Sequence, residues 1–297
     1  MKTSILKDVI DLHVHCSPDV VPRAQDITQV VADAGRAGMA GLVLKEHTTS
    51  TVGRAFVLNH LFPQGPHLYS SLVLNPPVGS LNPVAVEAAL RAGVDIIYFP
   101  TYGARHHIKK WGLGLPPTAF PVPESGFPGI GILDGEGSLK PVVLDILRLI
   151  ASYDAVLATG HIAPAESLAL LRAARQVGIT RMVVTHASES VPGMPLDMQQ
   201  EAAAMGAFIE HSFFAVTPSC PDPIRLEDIR DQVRAVGVAR CILSSDFGQP
   251  SNGPVVEMFA GYLERMLRIG LSGEELYALT AENPARLLGR TSGSELQ

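Results

Sequence analysis

Asp11-Leu12-His13-Val14-His15 closes an apolar run that begins near Val9. Read as the end of a β-strand, the stretch puts Asp11, His13 and His15 on one face and Ile10, Leu12 and Val14 on the other. Neutral imidazole is a good ligand for zinc and other divalent cations, and two at this spacing converge on one ion without distorting the backbone. Two unrelated histidines at a strand end would look the same. The pair takes its meaning from the rest of the chain.

After this strand, strand-like and helix-like segments alternate throughout, with Gly often closing a helix, as at Gly35 and Gly38. Seven more candidate strands fall at 41–47, 68–75, 95–101, 155–161, 181–186, 207–211 and 240–246. Helical patterns lie between them, at 84–92, 142–152, 165–177, 198–205 and 226–236. Eight strands in this rhythm predict an α/β fold, a (β/α)8 TIM barrel forming a single domain over 1–290. The segment 102–140 after strand four is long, rich in Gly and Pro, and reads as a lid-like loop; 291–297 reads as a frayed tail.

In a barrel the carboxyl ends of the strands share one mouth, where active sites of this fold lie. Lys45, Glu46 and His47 end strand two, His161 strand five, His186 strand six, Glu210 and His211 strand seven, and Asp246 strand eight. A single strand-end histidine is usually a hydrogen-bonding residue. Their joint placement argues for a site.

The order His-x-His (His13, His15), His161, His186 and Asp246 resembles the amidohydrolase superfamily of metal-dependent barrels. The tail 279–289 is similar to the Asn-Pro-Ala-Arg-Leu-Leu-Gly helix that follows the barrel in many members, although Asn before Pro is also a good helix start. The resemblance implies a divalent ion held by His13, His15, His161 and Asp246, with His186 completing a second site or contacting substrate. Zinc is the expected metal, with manganese or iron as substitutes, and such an ion lowers the pKa of water to roughly 7. Catalytic parts are implied for Asp246 as proton shuttle, for His186 and for Lys45. The expected chemistry is hydrolysis of an amide, lactone or related ester in a small, anionic molecule.

Strand four departs from the pattern. Binuclear members carry a bridging carbamylated Lys or a Glu there, whereas this strand reads Asp95-Ile96-Ile97-Tyr98-Phe99-Pro100-Thr101. Lys45 is the nearest candidate for an unusual bridge, and an ion pair with Asp11 or Asp246 is the favoured reading of it. One ion rather than two is expected. Three alternatives stand beside hydrolysis. Single-zinc members of the superfamily perform nonoxidative decarboxylation. The polymerase-and-histidinol-phosphatase phosphoesterases share Asp-Leu-His-x-His followed by an acidic residue and His, as in Glu46-His47, but close with Asp-x-His, whereas Phe247 and Gly248 follow Asp246 here. A non-catalytic barrel would keep its metal for structure.

Substrate contacts are expected from His47 and His211, and from the loop residues Arg105, His106 and His107, which stand beside Lys109, Lys110 and Trp111. A basic cluster over the mouth suits an anion; a solvated charged loop is the plainer reading. Asp134-Gly135-Glu136-Gly137 reads as a turn, lacking the ligand spacing of a calcium loop.

Composition narrows the rest. The chain has 297 residues, 46% of them hydrophobic, enough for a sizeable core. A net charge of -6 argues against nucleic-acid binding. No apolar stretch approaches a membrane span, and Lys7-Asp8 breaks the start too early for a secretory signal. Cys16, Cys220 and Cys241 lack the spacing of a zinc ribbon or redox pair, so reduced thiols and a cytoplasmic setting are expected. Neither a P-loop nor a dinucleotide fingerprint appears, and assembly into a homo-oligomer is compatible with the sequence.

Overall fold

Short buried strands separated by amphipathic helices leave one economical solution, a closed parallel sheet wrapped by its own connections. The computed structural model describes residues 5–112 and 127–289. Its strands are β1 (Ile10–Val14), β2 (Gly41–Leu44), β3 (His67–Tyr69), β4 (Ser71–Val73), β5 (Ile96–Tyr98), β6 (Val156–Ala158), β7 (Met182–Val184), β8 (Phe208–Ser212) and β9 (Cys241–Ser244). Neighbours pair in parallel and in sequence order within β1–β3 and within β4–β9.

The third stave of the barrel is split at Ser70. Its first half, β3, pairs with β2, and its second half, β4, pairs with β5. At the break, Ser70 N–H and Oγ both donate to Asp95 Oδ2 (2.7 and 2.9 Å), and Ser71 N–H donates to Thr51 Oγ1 (2.7 Å). The ring closes between β1 and the segment after β9. Asp246 N–H donates to His13 O and His15 N–H to Phe247 O, each at 2.9 Å.

Two apolar shells result. Ile10, Leu12, Val43, Val156, Val183 and Ile242 fill the barrel interior, while Val14, Leu42, Leu44, Ile97 and Leu243 pack outward against the helices. Strand β1 breaks the alternation expected of it. Between Asp11 and Val14 it advances three residues while β2 advances two, from Leu42 to Leu44. That bulge carries one extra residue, so Leu12 and His13 both turn inward and Val14 joins the outer shell.

The helices are α1 (Ile27–Ala37), α2 (Val52–Leu61), α3 (Pro83–Arg91), α4 (Arg105–Trp111), α5 (Pro141–Ser152), α6 (Pro164–Gln176), α7 (Leu196–Ala204), α8 (Leu226–Val236), α9 (Val255–Arg268), α10 (Gly273–Tyr277) and α11 (Asn283–Leu287). α1 starts at a reciprocal cap: Asp26 Oδ1 accepts from Thr28 and Gln29 N–H, and Gln29 Oε1 accepts from Asp26 N–H. The loop expected at 102–140 contains α4; its stretch 113–126, like the tail 290–297, lies outside the described residues. Asn283 does not begin a fresh helix. A π-turn (Ala278–Glu282) runs from α10 into α11, and Asn283 Nδ2 donates to Val238 O and Cys241 O, both at 2.7 Å. Leu287 and Leu288 thereby plug the base of the barrel interior. Among the described residues, no helix is long and apolar enough to cross a membrane.

Candidate metal centre

The strand ends gather as a TIM barrel requires. His13, His186 and Asp246 offer ligand atoms that all lie within 4.8 Å of one another, and all three are buried. His15 Nε2 is 3.0 Å from Asp246 Oδ1, and His161 Nε2 is 3.0 Å from His186 Nε2. All five residues expected to hold the ion therefore meet at one place.

Two of them have unusual backbones. His186 has φ 26° and Asp246 φ 52°, in the left-handed region that side chains with a Cβ rarely adopt. Each is held there by its own N–H: His186 donates to Glu210 Oε2 (3.0 Å) and Asp246 to His13 O. Strain of this kind persists where surrounding bonds over-determine it, and it clusters at functional sites.

Hydrogen-bond bookkeeping assigns the proton on His13. Glu210 accepts from Ser244 Oγ (2.7 Å), from His186 N–H and, at 3.1 Å, from His13 Nδ1. With its proton on Nδ1, His13 has a bare lone pair at Nε2, which lies 3.2 Å from Asp246 Oδ1 with no hydrogen bond to it. Two electron-rich atoms facing one another in a buried site call for a cation between them. His186 Nδ1 is likewise unpartnered, 3.3 Å from Glu189 Oε2. The donor set, imidazole nitrogen with one carboxylate, suits zinc, manganese or iron, so the residues present fit the implied ion.

Burial keeps these rings neutral, the form that binds metal. It pushes His13 and His186 down to about 3 against the opposing pull of Asp246, and His15 and His161 well below the usual imidazole range. His15 differs in one respect. The Arg23 guanidinium, itself paired with Asp19 at 2.7 Å, can only donate, and its Nη2 does so to His15 Nδ1 at 3.3 Å. With that bond made the His15 proton is on Nε2; the Lys45 backbone carbonyl beside the ring is an acceptor for the opposite tautomer, the one that frees Nε2 for an ion.

Beside the centre is a cavity of about 280 Å³. Lys45 and His47 line it from the end of β2, Tyr102, His107 and Trp111 from the loop and α4, and Phe214 and Pro221 from beyond β8. His107 is fully inside, its Nδ1 2.7 Å from His161 Nδ1. The ion pair expected for Lys45 is absent. Among the described residues no carboxylate oxygen comes within 4 Å of its Nζ, which instead sits 4.7 Å from the centroid of the Tyr98 ring. Burial lowers the Lys45 pKa, and Asp246, Glu210 and Glu189 pull it back up.

Three expected substrate contacts lie elsewhere. Arg105 is exposed on α4 and packs over Gly129 and Gly131, and His106, half-buried, does not line the cavity either. Positions 105 and 109 share one face of α4 while 107 falls on the other, so the helix sends its basic residues outward and one imidazole inward. His211 faces away from the mouth, behind β8, with Nδ1 2.5 Å from Ser188 Oγ. Period two allows only one of Glu210 and His211 to point inside, and it is Glu210.

Sequence reasoning passed over Glu189. Its buried carboxyl, bonded by Ser212 Oγ at 2.5 Å, is pushed well above the carboxylate range, first by burial and then by Asp246. The one available signal was its position three residues beyond His186.

Comparison with known proteins gives the fold its relatives. An amidohydrolase from Pseudomonas aeruginosa superposes with TM-score 0.66 at 14% identity, covering 97% of each chain. The lactonase Lmo2620 from Listeria monocytogenes gives 0.63 at 14% identity over 98% of this chain and 97% of its own. A 2,6-dihydroxybenzoate decarboxylase from Rhizobium gives 0.51 at 11% identity over 95% and 99%. At these identities the likeness establishes the TIM barrel as these enzymes build it. No curated protein sequence matches the chain. One family profile does, over residues 8–210, and by that match this amidohydrolase-like barrel belongs to the family described as "Family of unknown function (DUF6282)".

Proposed function

We propose that this protein is a zinc-dependent hydrolase that cleaves an amide, lactone or related ester bond in a small molecule. The observation that carries the reading is the bare Nε2 of His13 facing Asp246 Oδ1 at 3.2 Å, beside an open cavity. His13, His186 and Asp246 would hold the ion, with His161 and His15 beside them. The ion supplies Lewis acidity and a water acidic enough to ionise near neutral pH.

The chain does the rest. Glu210 fixes the tautomer and orientation of His13, and through the His186 N–H it also holds the strained backbone that aims His186. Asp246, within reach of both His13 and His15, accepts a proton during attack on the carbonyl and returns it to the leaving group. Glu189, its carboxyl pushed well above the carboxylate range by burial and by Asp246, stands in the cavity wall as a second acid–base group. A structural metal site is usually closed by four protein ligands, whereas this one borders a cavity large enough for a substrate.

Metal analysis with a panel of lactones, cyclic amides and aromatic carboxylates tests the reading. Purified protein should contain about one zinc per chain and lose turnover on the order of 10²- to 10⁴-fold in Asp246→Asn. Full activity in metal-free protein would refute it. Release of carbon dioxide from a carboxylate in the panel would replace hydrolysis with decarboxylation.

A further inference from the structure

The end of β2 presents two hydrogen-bond donors that no described residue accepts. One is Lys45 Nζ, on a side chain that is almost fully buried and has no ion pair or hydrogen bond among the described residues. A buried ammonium is stable only with a partner, and the face of one aromatic ring supplies a weak one.

The other donor is His47 Nε2, and a chain of bonds behind the ring establishes it. Asn75 Oδ1 accepts from the N–H groups of Thr101 (2.9 Å) and Gly103 (3.1 Å), which fixes the orientation of its amide. Asn75 Nδ2 then donates to His47 O (3.0 Å) and Thr101 Oγ1 (2.7 Å), using both its protons. Thr101 is fully buried, so its hydroxyl proton needs an acceptor, and His47 Nδ1 lies 2.9 Å away. His47 Nδ1 thus accepts. A ring whose Nδ1 accepts carries its proton on Nε2, the edge away from Thr101.

His47 and Lys45 both line the cavity. Ring faces form much of the wall around them: the Tyr102 ring centroid is 4.1 Å from that of His47, and His107, Trp111 and Phe214 line the same cavity, together with Glu189, Ser219, Pro221 and Gln249. Ring faces take a flat body, and two unpaired donors, one of them charged, take a bidentate anion.

We propose that Lys45 Nζ and His47 Nε2 form a carboxylate subsite, and that the molecule bound in the cavity carries its carboxylate on a flat, unsaturated body. The inference rests on the reading of this cavity as the active site, and it assigns the carboxylate to the chain's own donors rather than to the ion.

Calorimetric titration of the protein as purified with benzoate and with benzamide, which share a shape and differ in charge, tests it, with metal content measured on every sample. Wild type should bind benzoate about tenfold or more tightly than benzamide, the discrimination expected of a charge-assisted pair. Lys45→Met should lose that preference at unchanged metal content. Thr101→Val, which removes the hydroxyl that donates to His47 Nδ1, should weaken benzoate about threefold to tenfold and leave benzamide unchanged. It also serves as the second arm should Lys45→Met fail to fold.

Equal affinity for the two probes in wild type overturns the proposal. So does a benzoate preference that survives Lys45→Met with metal in place, because the carboxylate would then be on the ion. A carbamate on Lys45, detected by carbon NMR of protein held in labelled bicarbonate, overturns it too by removing the cation. Metal-free, fully active protein with a Lys45-dependent benzoate preference would refute the hydrolase reading and leave the subsite standing.

Discussion

His13 and His211 lie on opposite sides of the same barrel wall, and each presents a buried Nε2 lone pair with no hydrogen-bond partner. The bookkeeping behind them is parallel. His13 gives its Nδ1 proton to Glu210, and His211 gives its own to Ser188 Oγ, whose hydroxyl donates in turn to Gln232. What differs is the view from the bare nitrogen. His13 faces a carboxylate oxygen at 3.2 Å, and His211 has no carboxylate within ion-pair distance among the described residues. A buried imidazole lone pair is therefore no candidate metal site by itself; an opposed carboxylate makes it one.

The largest effect that would break this comparison is one of pH. Burial holds His211 down to about 4 in the folded protein, against 6.5 for the free ring. Between those values the unfolded chain takes up the proton first. His211 thus contributes stability that is whole above pH 6.5 and drains away as pH falls to about 4, by about 3 kcal/mol from linkage. Urea unfolding at pH 7 and 4.5 should show His211→Phe losing less stability on acidification than wild type, by up to that amount. Identical losses would mean that His211 has a partner or solvent access, and that the two sides of the wall differ for another reason.

Next in size is Glu210→Gln. An amide in place of the carboxylate no longer commits His13 to the Nδ1–H tautomer, so zinc affinity, read by competition with a chelator, should fall about 10- to 100-fold. Unchanged affinity would show that His13 needs no such partner. The smallest effect sharpens the contrast between inside and outside. Arg105→Ala, on the outer face of α4, should leave turnover unchanged and stability within about 0.5 kcal/mol, as measured by thermal melting.

Much of the fold was legible. Six of the eight staves fall within their expected spans, and the third, from His67, and the seventh, to Ser212, overrun theirs by one residue, because short buried parallel strands read as apolar runs between helical patterns. The break at Ser70 was not, since it depends on Asp95 binding one residue from another part of the chain. The clustered histidines and Asp246 were legible as strand-end residues, yet alternation alone put Leu12 on the wrong face, because a bulge adds a residue that composition does not announce. Arg105 and His106 looked like part of a basic patch until a helix set their directions. Lys45 was expected in an ion pair. It stands instead over Tyr98, in an interior that brings three carboxylates near but none into contact.

The plug formed by Leu287 and Leu288 bears on how the chain reaches this state. Interior partners of these two include Ile10 and Leu12, which leave the ribosome long before them, whereas closure of the ring needs Asp246 and Phe247. Synthesis runs from the amino end at a pace of about 5–20 residues per second. Strand β1 must therefore wait, with its inward side chains uncovered, until α11 emerges to seal them. A nascent chain arrested before residue 287 should expose that seam to chaperones and proteases, however well its individual βα units have formed.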